Sequence, residues 1–305
     1  MQAYIIKRFL QGIIVILGVS VVVFVLIRLT GDPVSLMLPE DASLQDIQRI
    51  RKVLGLDEPI HIQYLKFISG AVRGDFGMSL HHEQPVTKLI FERVPATLEL
   101  AGGALLLSIF IGLPLGVLAA LKRRTALDGL VMLGALVGQS APSFWIGIIF
   151  ILFFGVQLRW LPVAGRGSIQ HLILPAFTAG FFSMALYARL TRSTMLDVLI
   201  QDYIKTARAK GLKEIWVVTK HALRNCLIPV VTVIGLSIGH LLGGIFIIEM
   251  VFAWPGMGRL AVMAIYSLDY PIVQGVVFMV STLYVFINLG VDILYAYLNP
   301  QIRYA

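Results

Sequence analysis

Six stretches of the chain are apolar, contain no Asp, Glu, Lys or Arg, and are about as long as a bilayer is thick. A crossing helix needs about 20 residues, because the hydrocarbon core is about 30 Å thick and a helix rises about 1.5 Å per residue. The stretches are Phe9–Ile27, Leu100–Leu121, Gly129–Leu158, Leu172–Ala188, Asn225–Ile248 and Pro271–Val291. Backbone groups cannot stay unpaired in lipid, so each stretch is expected to be helical. The sequence predicts an all-α membrane protein with six transmembrane helices.

Composition agrees with lipid as the solvent. The chain is 58% hydrophobic and 14% charged, whereas soluble domains have about 45–50% apolar and about 25% charged residues. The first stretch exceeds the apolar core of a secretory signal peptide and no small-residue cleavage site follows it, so it is interpreted as a membrane helix. The third stretch is longer than a crossing requires. An edge or kink is therefore predicted between Gln139 and Ser143.

The basic residues predict the orientation. Lys and Arg concentrate in cytoplasmic segments of membrane proteins. Placing the N-terminus inside puts 14 of the 25 Lys and Arg residues, but only four acids, in cytoplasmic segments 1–8, 122–128, 189–224 and 299–305. Both termini are then cytoplasmic. The net charge of +8 is explained by topology, and no nucleic-acid partner is predicted.

This topology divides the chain into three parts. They are an N-terminal transmembrane helix (1–29), an extracytoplasmic segment (30–97) and a five-helix core (98–305). Within the extracytoplasmic segment, Ala42–Leu56 has helical spacing and a second helical stretch begins at Pro59. The segment is interpreted either as a lid on the membrane domain or as a docking platform for an external partner.

The cytoplasmic segment 189–224 is basic, but apolar residues interleave with its charges. A short helix is predicted over Asp202–Lys210, and Gly211 permits the turn that ends it. A second helix is predicted from Glu214, with Ile215, Val218 and Ala222 on one face. Two short helices hinged at a glycine indicate a protein-binding element. The alternative is an interfacial helix on anionic lipid.

Several motifs carry a family resemblance. Asp202–Leu212 resembles the signature loop of binding-protein-dependent ABC importer permeases, and Lys220–Pro229 resembles the dipeptide, oligopeptide and nickel branch of that family. Five more segments agree, in the expected order: Thr30–Pro33, Leu54–Asp57, Gly74–Gly77, Phe252–Arg259 and Asn299–Arg303. The general signature places Glu-Ala-Ala four to six residues before its glycine, where this chain has Lys205, Thr206 and Ala207. The chain most resembles the first (B-type) permease subunit of dipeptide or glutathione importers.

The resemblance implies a type I ABC importer permease fold, with a cytoplasmic coupling helix between transmembrane helices 4 and 5. It also implies four partners in a bacterial inner membrane: a second homologous permease, two cytoplasmic ATPases and an extracytoplasmic binding protein. The chain is expected to be a transport subunit, not an enzyme, and to bind no cofactor, with ATP and Mg²⁺ on the ATPases. It has no Gly-x-x-x-x-Gly-Lys-Ser/Thr loop of its own. The implied coupling residues are Tyr203, Thr206, Ala207, Arg208, Ala209, Lys210, Gly211 and Leu212.

Three further residues are candidates for the pathway or a gate: His240, Glu249 and Asp292. Ionisable residues inside membranes often mark transport routes, which keeps an ion-gradient-driven secondary transporter as an alternative. Helix packing is the simpler interpretation of His240 and Asp292. His81-His82-Glu83 has metal-binding side chains, but no metal site is predicted. Di- and oligopeptides, glutathione-like peptides and a nickel chelate remain open as cargo.

Overall fold

The computed structural model describes residues 2–29 and 55–298, together with residues 34, 45, 48, 51 and 52. Ten helices contain most of the described residues. They are α1 (Gln2–Leu29), α2 (Ile60–Val72), α3 (Val86–Leu121), α4 (Ala126–Ser140), α5 (Ser143–Phe150), α6 (Ile169–Leu199), α7 (Asp202–Ala209), α8 (Leu223–Val251), α9 (Met257–Tyr266) and α10 (Tyr270–Leu298). A π-helical segment, Ile151–Gln157, extends α5. A short turn, Glu214–Trp216, and a second π-helical segment, Val217–Ala222, lead into α8.

The predicted all-α membrane fold is confirmed. Among the described residues, five helical segments are long and apolar enough to cross a membrane, and α4 with α5 supplies a sixth if the pair is one span. The helix predicted after Pro59 is α2. The helix predicted over Ala42–Leu56 falls mostly outside the described residues, as do the motifs at Thr30–Pro33 and Asn299–Arg303.

The longest helix, α3, exceeds the thickness of the membrane. Its 36 residues span about 54 Å at about 1.5 Å per residue, against a hydrocarbon core of about 30 Å. Its charge-free part begins only at Leu100. The first turns of α3 therefore project beyond the hydrocarbon, on the side predicted to be extracytoplasmic.

The third predicted span is broken where the sequence suggested an edge or kink. The axes of α4 and α5 differ by 116°, and Ala141 and Pro142 between them are extended, with ψ of 137° and 135°. Proline lacks an N–H group and disfavours a helical conformation in the residue before it, which explains the break.

The described chain forms two compact units, one from residues 1–97 and 255–305 and one from 98–254. In the first unit, α1 packs against α10, and Gly12 lies so close to Val285 that a side chain there would collide with it. The three segments predicted from topology describe membrane sides and stay a prediction.

The second unit is built on close approaches to α6. Gly112 and Gly116 of α3 lie against the backbone of α6, so that a Cβ on Gly116 would be 2.5 Å from the Ala188 carbonyl oxygen. The Tyr187 hydroxyl of α6 also hydrogen-bonds to the Ser237 hydroxyl of α8. Small residues allow such contacts between membrane helices.

Candidate functional site

The short helix α7 is fastened to the membrane helices of the second unit by two buried side chains. Ile204 and Ala207 belong to one apolar cluster with Ala120 of α3, Met195 of α6 and Cys226 of α8. The spacing of three residues places both anchors on one face of α7. The helix α7 is therefore in direct apolar contact with three transmembrane helices.

Gly211 ends α7 in a Schellman motif. Its φ is +75°, a left-handed conformation that glycine adopts without steric cost. The Gly211 N–H donates to the Arg208 carbonyl over 2.9 Å, and the Leu212 N–H donates to the Ala207 carbonyl over 3.4 Å. These are the two hydrogen bonds that define the motif. The turn that the sequence assigned to Gly211 is present.

An ion pair closes the turn after Gly211. The Arg208 guanidinium donates to both carboxylate oxygens of Glu214, over 2.6 and 3.1 Å. These hydrogen bonds raise the pKa of the Arg208 guanidinium above its usual value, so the pair stays charged. The exposed ion pair links α7 to the segment that leads into α8.

The predicted second helix is wrong in one respect. Val218 and Ala222 are buried as expected, but Ile215 is 62% exposed. The π-helical turn over Val217–Ala222 accounts for the difference, because its wider turn shifts which residues share a face with those before it. Val217 is buried where the regular spacing had placed Ile215.

The outer surface of this segment carries exposed apolar side chains. Trp216 is 57% exposed, and most of the predicted coupling residues are exposed as well, with Ala207 buried as an anchor. The large exposed side chains are Ile200, Tyr203, Leu212, Ile215 and Trp216. We name these five residues the coupling surface. Contiguous exposed apolar patches mark sites of protein or membrane contact, so these five residues are candidates for such a contact.

The three pathway candidates lie in different environments. Glu249 is fully buried in the last turn of α8, where its carbonyl accepts the Trp254 N–H over 2.8 Å. Asp292 of α10 forms an ion pair with Arg8 of α1 over 3.3 Å, which supports its interpretation as a helix–helix contact. The side chain of His240 lies outside the described residues. Their roles in the pathway stay predictions.

Two buried carboxylates have partners that the sequence did not predict. Asp128 at the start of α4 pairs with Arg192 of α6, although both residues were counted only as topology signals. Asp269 is buried before α10 and accepts hydrogen bonds from Ser79 and the backbone of the following residues. An Asp just before an apolar helix is a typical start signal and could have identified Asp269. Within residues 2–29 and 55–298, no cluster of three metal-binding side chains occurs.

Comparison with known proteins explains this arrangement. The family model for the binding-protein-dependent transport system inner membrane component matches residues 112–304, and the model for the N-terminal part of such membrane components matches residues 1–101. The chain belongs to this permease family. The permease is 45% identical over 305 residues, all of both chains, to the glutathione transport system permease protein GsiC of Escherichia coli strain K12. It is 44% identical over the same length to that protein from Salmonella paratyphi A.

A solved structure shows the same fold. A chain of the inward-facing methionine ABC transporter MetNI has a TM-score of 0.55 and 20% sequence identity, and the match covers 69% of this permease and 96% of that chain. The permease is thus a multi-pass inner-membrane subunit of an ABC importer, which works with ATPase and binding-protein components.

Proposed function

We propose that this permease forms one half of the translocation pathway for glutathione or similar short peptides. Two relatives that match over the full length, from Escherichia coli and Salmonella paratyphi A, are glutathione permeases by name. A protein of this kind receives its cargo from an extracytoplasmic binding protein and moves it by alternating access. No reaction occurs on the cargo, and this chain binds no cofactor. ATP and Mg²⁺ bind to the two cytoplasmic ATPases.

The coupling surface is the observation that carries the proposed mechanism. It offers apolar side chains to a partner, while the buried Ile204 and Ala207 of α7 are embedded against α3, α6 and α8. An ATPase that grips the coupling surface can therefore move the membrane helices without a flexible link in between. Each ATPase moves when it binds ATP, and the helices switch access with it.

A second, homologous permease completes the pathway. Gly243 and Gly244 of α8 lie one helical turn after Gly239, in a small-residue pattern that suits close contact between membrane helices. A Cβ on either glycine would meet none of the described atoms within 4 Å. This open surface supports contact with another chain. Gly103, Gly112 and Gly116, in contrast, are packed within this chain.

The proposed orientation places both termini and the coupling surface in the cytoplasm. It requires α4 and α5 to cross the membrane as one broken span, because α3 ends at the basic residues Lys122–Arg124 and α6 leads into α7. If the pair returned to the side on which it started, the basic segment 189–224 would be extracytoplasmic. That arrangement contradicts the distribution of Lys and Arg.

The proposal is tested by isolating the tagged permease in mild detergent and identifying its partners. We expect a second permease, ATP-binding subunits and, in reconstituted vesicles, glutathione uptake that needs ATP and the binding protein. Replacement of Trp216 and Leu212 by Ser should abolish uptake and release the ATPase. Replacement of Leu106 by Ser, an exposed residue away from the coupling surface, should leave the ATPase bound. Uptake by the chain alone with only an ion gradient would show a secondary transporter instead.

A further inference from the structure

One cavity of the unit formed by residues 1–97 and 255–305 is lined by basic side chains. Its volume is about 410 Å³, within the range of about 300–1,000 Å³ in which small molecules bind. Two guanidinium groups and two imidazoles line it, from Arg93, Arg259, His81 and His82. None of the described residues that line the cavity is acidic. An arginine fork matches a carboxylate in shape as well as in charge.

The loop that presents the two histidines is held in place by the buried Asp269 carboxylate. The buried Asp269 carboxylate accepts the Ser79 hydroxyl over 2.5 Å and the His81 N–H over 3.2 Å. The Ser79 hydroxyl oxygen in turn accepts the His82 N–H over 2.9 Å. Asp269 itself does not line the cavity, and its carboxylate accepts these hydrogen bonds from the loop. His81 and His82 are thus fixed at the rim.

A hydrogen bond joins the two helices that carry the arginines. Arg93 and Thr97 lie four residues apart on α3 and therefore on one face of it. The Thr97 hydroxyl accepts the Met257 N–H over 2.8 Å, which holds the first turn of α9 against that face. Gly256, the N-cap of α9, also lines the cavity. The N-terminus of a helix carries a partial positive charge and adds to the attraction for an anion.

We propose that this cavity binds the C-terminal carboxylate of the transported peptide on the extracytoplasmic side. The inference rests on the proposed function, which supplies a peptide with a free carboxylate, and on the predicted orientation. The cavity contributes a recognition step within the permease, after release from the binding protein. An acidic side chain of the binding protein has the same chemistry and is the other source of a carboxylate.

The test compares trialanine with trialanine amide, which lacks the carboxylate. Binding of both is measured by calorimetry on the purified permease complex, without ATP or binding protein. Wild type should bind the acid more tightly than the amide. Arg93→Gln should weaken binding of the acid about tenfold, as expected for loss of a charged hydrogen bond, and should leave the amide unchanged. Arg93→Lys should keep part of the preference. Lys88→Gln removes an exposed charge from the same helix and should have no effect.

Three outcomes would overturn the proposal. The first is that wild type binds the acid and the amide with the same affinity. The second is that Arg93→Gln and Lys88→Gln change the affinity for the acid equally. The third is that Arg93→Gln loses affinity for the binding protein while its affinity for the peptide is unchanged. The third would assign the cavity to the binding protein. ATP-dependent glutathione uptake by wild type is measured in parallel. Its absence would refute the proposed function, whereas its presence without a carboxylate preference would refute only this inference.

Discussion

Arg192 of α6 holds Asp128 of α4 with two hydrogen bonds, of 2.5 and 2.8 Å between guanidinium nitrogens and carboxylate oxygens. The Asp128 side chain is 8% exposed and also accepts the Arg124 N–H over 3.0 Å. The pair fixes the N-terminal end of α4, the first half of the broken span, to the helix that leads into α7.

We expect Arg192→Met to destabilise the permease by about 3–5 kcal/mol, because it leaves a buried carboxylate without its partner. The double variant with Asp128→Leu should recover most of this loss, since both charges are then gone. Thermal unfolding of the complex in detergent measures the effect. Lys205→Met breaks the exposed pair with Asp202 and serves as the control, with no measurable change expected. Equal effects of the two single variants would contradict a structural role for the buried pair.

Substitutions of Gly211 should separate assembly from coupling. A Cβ added at Gly211 would meet no described atom within 4 Å, so Gly211→Ala has only the backbone cost of a positive φ, about 1–2 kcal/mol. Gly211→Asn should have a smaller backbone cost. Gly211→Pro removes the N–H that donates to Arg208 and cannot adopt φ of +75°. We expect normal membrane insertion of all three, reduced uptake for Ala and none for Pro. Full uptake by Gly211→Pro would refute the assignment of this turn to coupling.

The close approach of α3 and α6 gives a packing prediction. Gly116→Ala places a Cβ 2.5 Å from the Ala188 carbonyl oxygen and 2.7 Å from the Thr191 Cβ, so the helices must separate at a cost of about 1–3 kcal/mol. A lower unfolding temperature of the purified complex is expected. Gly102→Ala, on the same helix, meets no described atom within 4 Å and should not change it. A stable Gly116→Ala variant would show that the two helices are farther apart in the membrane.

Removal of the Asp269 carboxylate should loosen one loop. Asp269→Ala leaves the Ser79 hydroxyl and the Leu80 and His81 N–H groups without their acceptor, and an unsatisfied buried group costs about 1–3 kcal/mol. Hydrogen exchange over residues 79–82 should become faster. Asp75→Ala removes one exposed hydrogen bond to the Gly77 N–H and should leave that exchange rate unchanged. Unaltered exchange in Asp269→Ala would mean that other contacts hold the loop.

The native cysteine makes a simple topology experiment possible. Cys226 is fully buried, so an impermeant thiol reagent should not label wild type in intact cells. His82→Cys should be labelled from outside, and Lys210→Cys only after the membrane is opened. Both original residues are exposed. Labelling of both variants from outside would show that α4 and α5 form a re-entrant loop and not a crossing.

Much of the architecture follows from local properties of the sequence. Charge-free apolar runs predict the spans because lipid admits few other structures, and the position of Gly211 predicts the end of α7 because few residues adopt its conformation. The break near Pro142 was also indicated, since proline acts on its immediate neighbours. Ordered motifs predicted the family, which the comparisons confirm.

Only the tertiary structure decided which residues far apart in the chain contact one another. Asp128 meets Arg192 across 64 residues and Ser79 meets Asp269 across 190, and no local pattern selects such partners. The exposure of Ile215 depended on the π-helical turn at Val217–Ala222, because a π turn changes which residues lie on the buried face of the helix. The sequence by itself determined which segments are apolar enough to enter the membrane and where the turn after α7 lies. Packing in three dimensions determined the bend of 116°, the anchoring of α7 and the basic cavity around Arg93, because these depend on helices that meet only after folding.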